Sequence, residues 1–304
     1  VAETILQFGA GNFLRAFTDL FVQEMNDAGR GVGSIVVVQS TEGARARLLN
    51  DQQGRYHVLV RGMVDGQTVD NVQVAQSISR ALIAQTEWDK VVDAARGPEL
   101  CAVVSNTTEA GMVLDEADRA YQEPPVSFPA RLLALLKARY DAGLPGVAVF
   151  PCELIENNGD RLKALVVEQA ERWGWAAESG FMAWLSDSCS WVNSLVDRIV
   201  SGKPAEHPLL TEDELLTVTE PYAFWGVEAK PGTEWMQHPA IELVADVAPY
   251  ALRKVRILNG AHTALVAHVH RVRPEIKLVR EAVADPEIGE WLRGLLFEEI
   301  VPTI

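Results

Sequence analysis

Thr4-Ile5-Leu6-Gln7-Phe8-Gly9-Ala10-Gly11-Asn12-Phe13-Leu14-Arg15 is the stretch that decides the fold. An apolar run of strand length meets two glycines and gives way to an amphipathic helical pattern that continues to about residue 27. Gly9 permits a tight turn, and Gly11 lets a pyrophosphate approach the backbone at the helix N-terminus, where free N–H groups favour an anion. Gly9, Gly11, Asn12 and Phe13 are therefore candidate cofactor-binding residues. The third glycine of the usual GxGxxG is absent, because Leu14 stands there. A plain tight turn explains two glycines as well.

Context strengthens the first reading. Residues 34–39 (SIVVVQ) have the pattern of a second buried parallel strand, at the distance where a ribose-reading side chain is expected. Gln39 and Ser40 occupy that position, followed by Thr41, and Glu42 comes one place late for an acidic ribose ligand. NAD is preferred over NADP on this ground.

Further along, residues 55–79 alternate in hydrophobicity around Asp65-Gly66, as in an inserted hairpin. A helix is expected at 87–95, a buried strand at 100–105, and after it the hydroxyl-rich loop Asn106-Thr107-Thr108-Glu109-Ala110-Gly111. A polar loop at a strand's carboxyl end is where an open α/β sheet binds its ligand, which makes Ser105 and Thr107 candidates. An ordinary helix cap explains the same residues. Helices at 129–142 and 160–173 enclose a strand at 147–151, whose carboxyl end leads into Cys152-Glu153-Leu154-Ile155-Glu156-Asn157-Asn158-Gly159. Strands are expected at 219–229 and 241–247, and helices from 252 onward. The expected fold class is α/β: a Rossmann-like, doubly wound, mostly parallel sheet with an inserted hairpin over 1–248, followed by a mainly α-helical C-terminal domain over 249–304.

Composition narrows the partners. A chain of 304 residues with 48% hydrophobic and 23% charged residues is of ordinary globular type and long enough for two domains. A net charge of -15 speaks against a nucleic-acid or anionic membrane surface, and no apolar run reaches the roughly 18 residues of a membrane span. Cys101, Cys152 and Cys189 are widely spaced, without CxxC or a neighbouring histidine pair, so no metal site is expected. The opening residues lack the basic start and long apolar core of a signal peptide, and a cytoplasmic location is expected. Oligomeric state has no signature in the sequence.

The second informative stretch is Lys254-Val255-Arg256-Ile257-Leu258-Asn259-Gly260-Ala261-His262. At about 100° per residue of an α-helix, Asn259 lies roughly 140° and His262 roughly 80° around the axis from Lys254. All three then share one broad face. A partly desolvated lysine suits proton exchange with an alcohol or carbonyl oxygen, and an amide NH2 beside it can donate to the same oxygen. Asn193 could supply a second amide. The bland alternatives are a snorkelling lysine, a turn-capping amide, a core histidine, and an Asn193 that serves local backbone.

As a set, KVRILNGAH with its K-x-x-x-x-N-x-x-H pattern, FGAGNFLRAF, SNTTEAG and LVDRI resemble the polyol-specific long-chain dehydrogenases, the mannitol dehydrogenase family. The resemblance spans nearly the whole chain. It implies a metal-independent, NAD-linked secondary-alcohol dehydrogenase with its site between a Rossmann-type domain and a helical one. By motif, Lys254 is implied as the acid/base, Asn193 and Asn259 as the groups that polarise the reacting oxygen, and His262 as the residue that orients the substrate. SNTTEAG, PCELIENNG, LVDRIVSG and LNGAHTALV are nearest in wording to members acting on sugar acids, which implies tagaturonate and altronate as the reacting pair. Fructuronate, or a ketose such as fructose, is the alternative, and a nucleotide- or sugar-acid-binding protein without turnover is a second. Family members usually continue well past the position of Ile304, so residues 249–304 are expected to be the start of a longer domain. Arg256 and Arg198 are candidates for the substrate carboxylate, with an ion pair as the plain alternative for each.

Overall fold

The computed structural model describes residues 1–41 and 43–304, so Glu42 lies outside the described residues. The chain divides into two compact units, Val1–Ala245 and Asp246–Ile304.

The strands of the first unit are β1 (Glu3–Phe8), β2 (Ser34–Gln39), β3 (Tyr56–Val64), β4 (Gln67–Ala75), β5 (Ile78–Ile83), β6 (Ala102–Ser105), β7 (Ala148–Pro151), β8 (Ser190–Trp191), β9 (Ser194–Asp197), β10 (Val200–Gly202), β11 (Thr217–Thr219), β12 (Phe224–Glu228) and β13 (Ile241–Val244). Six of them form the main sheet in the order β5-β2-β1-β6-β7-β8, every neighbouring pair parallel. This is the strand order of nucleotide-binding doubly wound sheets, with its reversal point between β1 and β6. Burial on both faces explains why β2, β6 and β7 are nearly continuous apolar runs: every residue of these three strands is buried.

Helices cover both faces: α1 (Asn12–Arg15), α2 (Thr18–Asp27), α3 (Arg45–Asp51), α4 (Trp88–Ala95), α5 (Phe128–Asp141), α6 (Asn158–Arg172) and α7 (Ser179–Asp187). The two-residue period of a strand sorts β1 between them. Ile5 packs in the core that holds Leu14, Phe17, Leu20 and Phe21 of the first helices. Leu6 and Phe8 face the opposite core, with Trp88, Leu132 and Leu162.

The inserted hairpin is present. β3 and β4 pair antiparallel out to Val64 and Gln67, across Asp65 (φ 50°) and Gly66 (φ 77°). Two successive positive φ values make the turn whose twist matches a hairpin. The hairpin belongs to a second sheet, β10-β11-β3-β4, and β13-β12-β9 form a third.

Two expectations about elements are corrected, and one strand was missed. The helix expected after the glycine turn is broken at Ala16-Phe17, where Phe17 (φ -129°, ψ -95°) leaves helical geometry. The run expected as one strand at 219–229 is two strands in different sheets, since Pro221 between them has no N–H to give to a ladder. β5 was hidden because Ser79 and Arg80 interrupt its apolar pattern.

The second unit is helical: α8 (Ala248–Arg253), a π-helical turn at Lys254–Asn259, α9 (Gly260–Val272), α10 (Val279–Ala284), α11 (Pro286–Gly294) and a second π-helical turn at Leu295–Ile300. Leu265, Val269, Ala282 and Ile288 form its core, with Ile276, Trp291 and Leu292 packed against them. Among the described residues, no helix is long and apolar enough to cross a membrane.

Candidate functional site

The glycine turn after β1 sits where the sheet reverses its strand order. Gly9 has φ +129°, and a Cβ on it would lie 3.1 Å from both the Asn106 carbonyl oxygen and Leu14 Cδ1. Only glycine fits there, for backbone and packing reasons together. Gly11 differs. Its backbone is extended (φ -72°, ψ 168°), which any residue adopts, and a Cβ on it would meet nothing within 4 Å. Neither fold geometry nor packing asks for glycine at this position, and the space beside it is open.

Asn12 begins α1 and accepts from the Arg15 guanidinium, which also donates to the Leu215 carbonyl oxygen. Phe13 stacks on Phe17 with ring centroids 4.8 Å apart. Behind the turn lies a buried polar group that sequence reasoning missed. Gln7 Nε2 donates to the Gly9 carbonyl (3.1 Å), and Tyr56 Oη reaches the Arg15 carbonyl (2.8 Å) and Asp19 Oδ2 (3.2 Å). Burial pushes the Asp19 carboxyl up to about 7, against the opposing hydrogen bonds from Gln7 and Tyr56 and the charge of Arg15.

At the end of β2, Gln39 is buried and its side chain is fully used. Its Nε2 donates to the Thr41 and Gly43 carbonyls (2.8 and 2.9 Å), and its Oε1 accepts from the Ala46 N–H (2.7 Å). Gln39 thus shapes the loop instead of extending towards a ribose. Ser40 follows in the same loop, and its carbonyl accepts from Gln85 (2.5 Å). The acidic alternative, Glu42, lies outside the described residues.

Past the reversal point, Ser105 and Thr107 converge on Glu153. Thr107 donates through its N–H (2.8 Å) and its hydroxyl (3.0 Å) to Glu153 Oε1, and the Ser105 hydroxyl donates to Oε2 (3.0 Å). Burial raises the Glu153 carboxyl above the usual range, while the same donors pull the other way. The sequence marked this strand end but gave no reason to single out Glu153, whose partners are 46 and 48 residues away.

Asn193, in the first unit, is buried and its amide is committed. Its Oδ1 accepts from the Asp160 N–H (3.0 Å), and its Nδ2 donates to Asp160 Oδ2 (2.9 Å) and Glu228 Oε2 (3.1 Å). Lys230 stands beside these acids, 3.5 Å from Glu228 and 4.0 Å from Asp160. Arg198 is half-buried and donates to the backbone carbonyls of Ala16 (2.8 Å) and Glu220 (3.0 and 3.2 Å).

In the second unit, Lys254 and Asn259 bound the π-helical turn, and the Gly260 N–H donates to the Val255 carbonyl, five residues back. The α-helical angles expected for this stretch do not apply. A turn that closes on i→i+5 is wider than an α-helical one, so Asn259 is not set around the axis from Lys254 by the angle expected. Lys254 is half-buried, while Asn259 and His262 are exposed. His262 Nδ1 faces the Leu258 carbonyl at 2.8 Å. A carbonyl only accepts, so Nδ1 carries the proton and Nε2 of the neutral ring is left as an acceptor. Arg256 is exposed and donates to the carbonyl (2.6 Å) and hydroxyl (3.2 Å) of Thr303. Among the described residues, no group of three or more His, Cys, Asp or Glu side chains is placed to hold a metal ion.

Comparison with known proteins bears on both units. The family model for the mannitol dehydrogenase Rossmann domain matches residues 3–238, and that for the mannitol dehydrogenase C-terminal domain matches residues 246–304. The chain is 38% identical to an altronate oxidoreductase of Bacillus subtilis and 39% identical to one of Halalkalibacterium halodurans, in each case over 99% of its own length. It spans 65% and 61% of those relatives. Among solved structures, the mannitol 2-dehydrogenase of Pseudomonas fluorescens, a ternary complex with NAD and D-mannitol, superposes with a TM-score of 0.80 at 24% identity, over 100% of this chain and 65% of that one. A D-sorbitol dehydrogenase gives 0.81 at 23% identity, over 100% of this chain and 66% of that one. These two likenesses bear on the fold.

Proposed function

Because the chain belongs to the mannitol dehydrogenase family, we propose that it is an NAD-dependent secondary-alcohol dehydrogenase that interconverts tagaturonate and altronate. The observation that carries the cofactor part is Gly11: a glycine with an ordinary backbone and an open space beside it, at the turn where a doubly wound sheet takes a pyrophosphate. The substrate part is supported by relatives named altronate oxidoreductase, 36–39% identical over 99% of the chain.

Gly9, Gly11, Asn12 and Phe13 would hold the dinucleotide's phosphates, with Ser105 and Thr107 forming the strap on the other side of the reversal point. The dinucleotide, when bound, supplies the reducing equivalent for the keto carbon. Lys254 Nζ protonates the oxygen of that carbon as negative charge develops on it, and takes the proton back in the direction of oxidation. Asn259 donates to the same oxygen, and a donor fixed in advance stabilises its charge most; the family motif implies Asn193 as a further amide donor. His262 offers Nε2 as an acceptor for a substrate hydroxyl. Arg256 and Arg198 are separate candidates for the cation that meets the substrate carboxylate.

The test is consumption of NADH with tagaturonate, fructuronate and fructose side by side. The proposal predicts the highest kcat/KM with tagaturonate. The family models carry the name of a polyol enzyme, so a preference for fructose would transfer the same chemistry to a ketose. NADH binding without turnover of any of the three would leave a nucleotide-binding protein.

A further inference from the structure

We infer that Glu153 is the positioning residue for the nicotinamide half of the dinucleotide site, an assignment that rests on the proposed function. Doubly wound sheets of this strand order bind one mononucleotide on each side of the reversal point. Here the loops after β1, β2 and β5 serve the first half, and those after β6, β7 and β8 serve the second. The glycine turn alone cannot fix the second half.

What fixes it is the strap of residues 105–107. On one side, Asn106 packs its carbonyl against Gly9 and sends its N–H to the Phe8 carbonyl (3.0 Å). On the other, its Nδ2 reaches the Cys152 carbonyl (3.3 Å), and Glu153 gathers three donors from Ser105 and Thr107. Glu153 is itself locked. Its carbonyl accepts from Asn158 Nδ2 (3.0 Å), and the same nitrogen holds the carbonyls of Pro151 (2.9 Å) and Ser194 (3.0 Å). The carboxyl, only 3% exposed, is a strut between two loops at the carboxyl edge of the sheet. Just beyond the strap Thr108 turns to φ +69°, a conformation that branched side chains avoid and that persists only where neighbours hold it. Removing the strut leaves the buried Ser105 hydroxyl and the half-buried Thr107 N–H and hydroxyl without their acceptor and lets the strap move, while the adenylate half keeps its own turn.

The experiment compares dissociation constants of NADH and AMP for the chain and its Glu153→Ala and Glu153→Gln variants, with thermal unfolding alongside. AMP occupies only the first half. In Glu153→Ala, NADH is expected to weaken by about tenfold or more, the scale of an orphaned buried donor, and AMP to change by less than about twofold. Glu153→Gln keeps an acceptor for Thr107 and lets the Ser105 hydroxyl turn to accept, so it restores most of the NADH affinity. Thr107→Val removes one donor and is expected to weaken NADH alone, which serves if the alanine variant does not fold. Unchanged NADH affinity in Glu153→Ala or Thr107→Val, or equal loss of NADH and AMP, would overturn the assignment. An unaltered chain that binds neither nucleotide would instead overturn the proposed cofactor and take this inference with it.

Discussion

Asn193 donates an amide hydrogen to Glu228 Oε2 across 3.1 Å, and its other amide hydrogen goes to Asp160 Oδ2 at 2.9 Å. The residue proposed to polarise a substrate oxygen thus spends both hydrogens on carboxylates. To serve the substrate it must release one of them, and the longer bond to Glu228, an acid that Lys230 also attends at 3.5 Å, is the one to yield. Asn193→Ala is expected to lower kcat about a hundredfold, the scale of one lost donor to a developing oxyanion. It should also lower stability by about 0.5–1.5 kcal/mol, the net worth of a typical hydrogen bond. Urea unfolding and steady-state kinetics separate the two effects, and a loss of stability with full turnover would make Asn193 purely structural.

Gly9 and Gly11 make a matched pair of tests. Gly9→Ala forces a side chain into φ +129° and against the Asn106 carbonyl, so it is expected to lower the melting temperature and NADH affinity together. Gly11→Ala meets no protein atom within 4 Å and should leave the melting temperature unchanged. Its methyl instead fills the space assigned to the pyrophosphate, and NADH affinity should fall at least about tenfold. Unaltered NADH binding by Gly11→Ala would remove the observation on which the cofactor assignment stands.

Asp19 makes stability depend on pH. Its carboxyl is fully buried and pushed up to about 7, whereas in an unfolded chain it titrates near about 3.9. Between those values the folded protein holds a proton that the unfolded chain has lost. The contribution of Asp19 is therefore complete below the unfolded value and is lost as pH rises through about 7. Asp19→Asn has no such proton to lose. Its melting temperature relative to the unaltered chain should rise from about pH 5 to about pH 8, and a difference independent of pH would contradict this.

How much of this was legible in the sequence follows the range of the forces involved. β2, β6 and β7 were readable because burial on both faces demands nearly unbroken apolar runs, and β1 because a short apolar run leads straight into the glycine turn. β5 was not, because register with β2 tolerates Ser79 and Arg80 within it. Gly9 was readable because its requirement is local. Glu153 was not, since its role exists only once β6 and β7 lie side by side. The grouping of Lys254 with Asn259 was reached with α-helical angles, but the chain makes a π-helical turn there. Side-chain periodicity does not reveal that choice of hydrogen bond. Gln39 was expected at a ribose and instead folds back on its own loop, a local competition that residue type alone does not decide.

The most direct measurement of the central claim is turnover and NADH affinity of Lys254→Met beside the unaltered chain, with tagaturonate as substrate. Loss of a general acid/base is worth about 10²–10⁴ in rate, so kcat should fall by that factor while the NADH dissociation constant stays within about twofold. Unchanged turnover in Lys254→Met would contradict the account, because proton transfer at the reacting oxygen would then belong to another group.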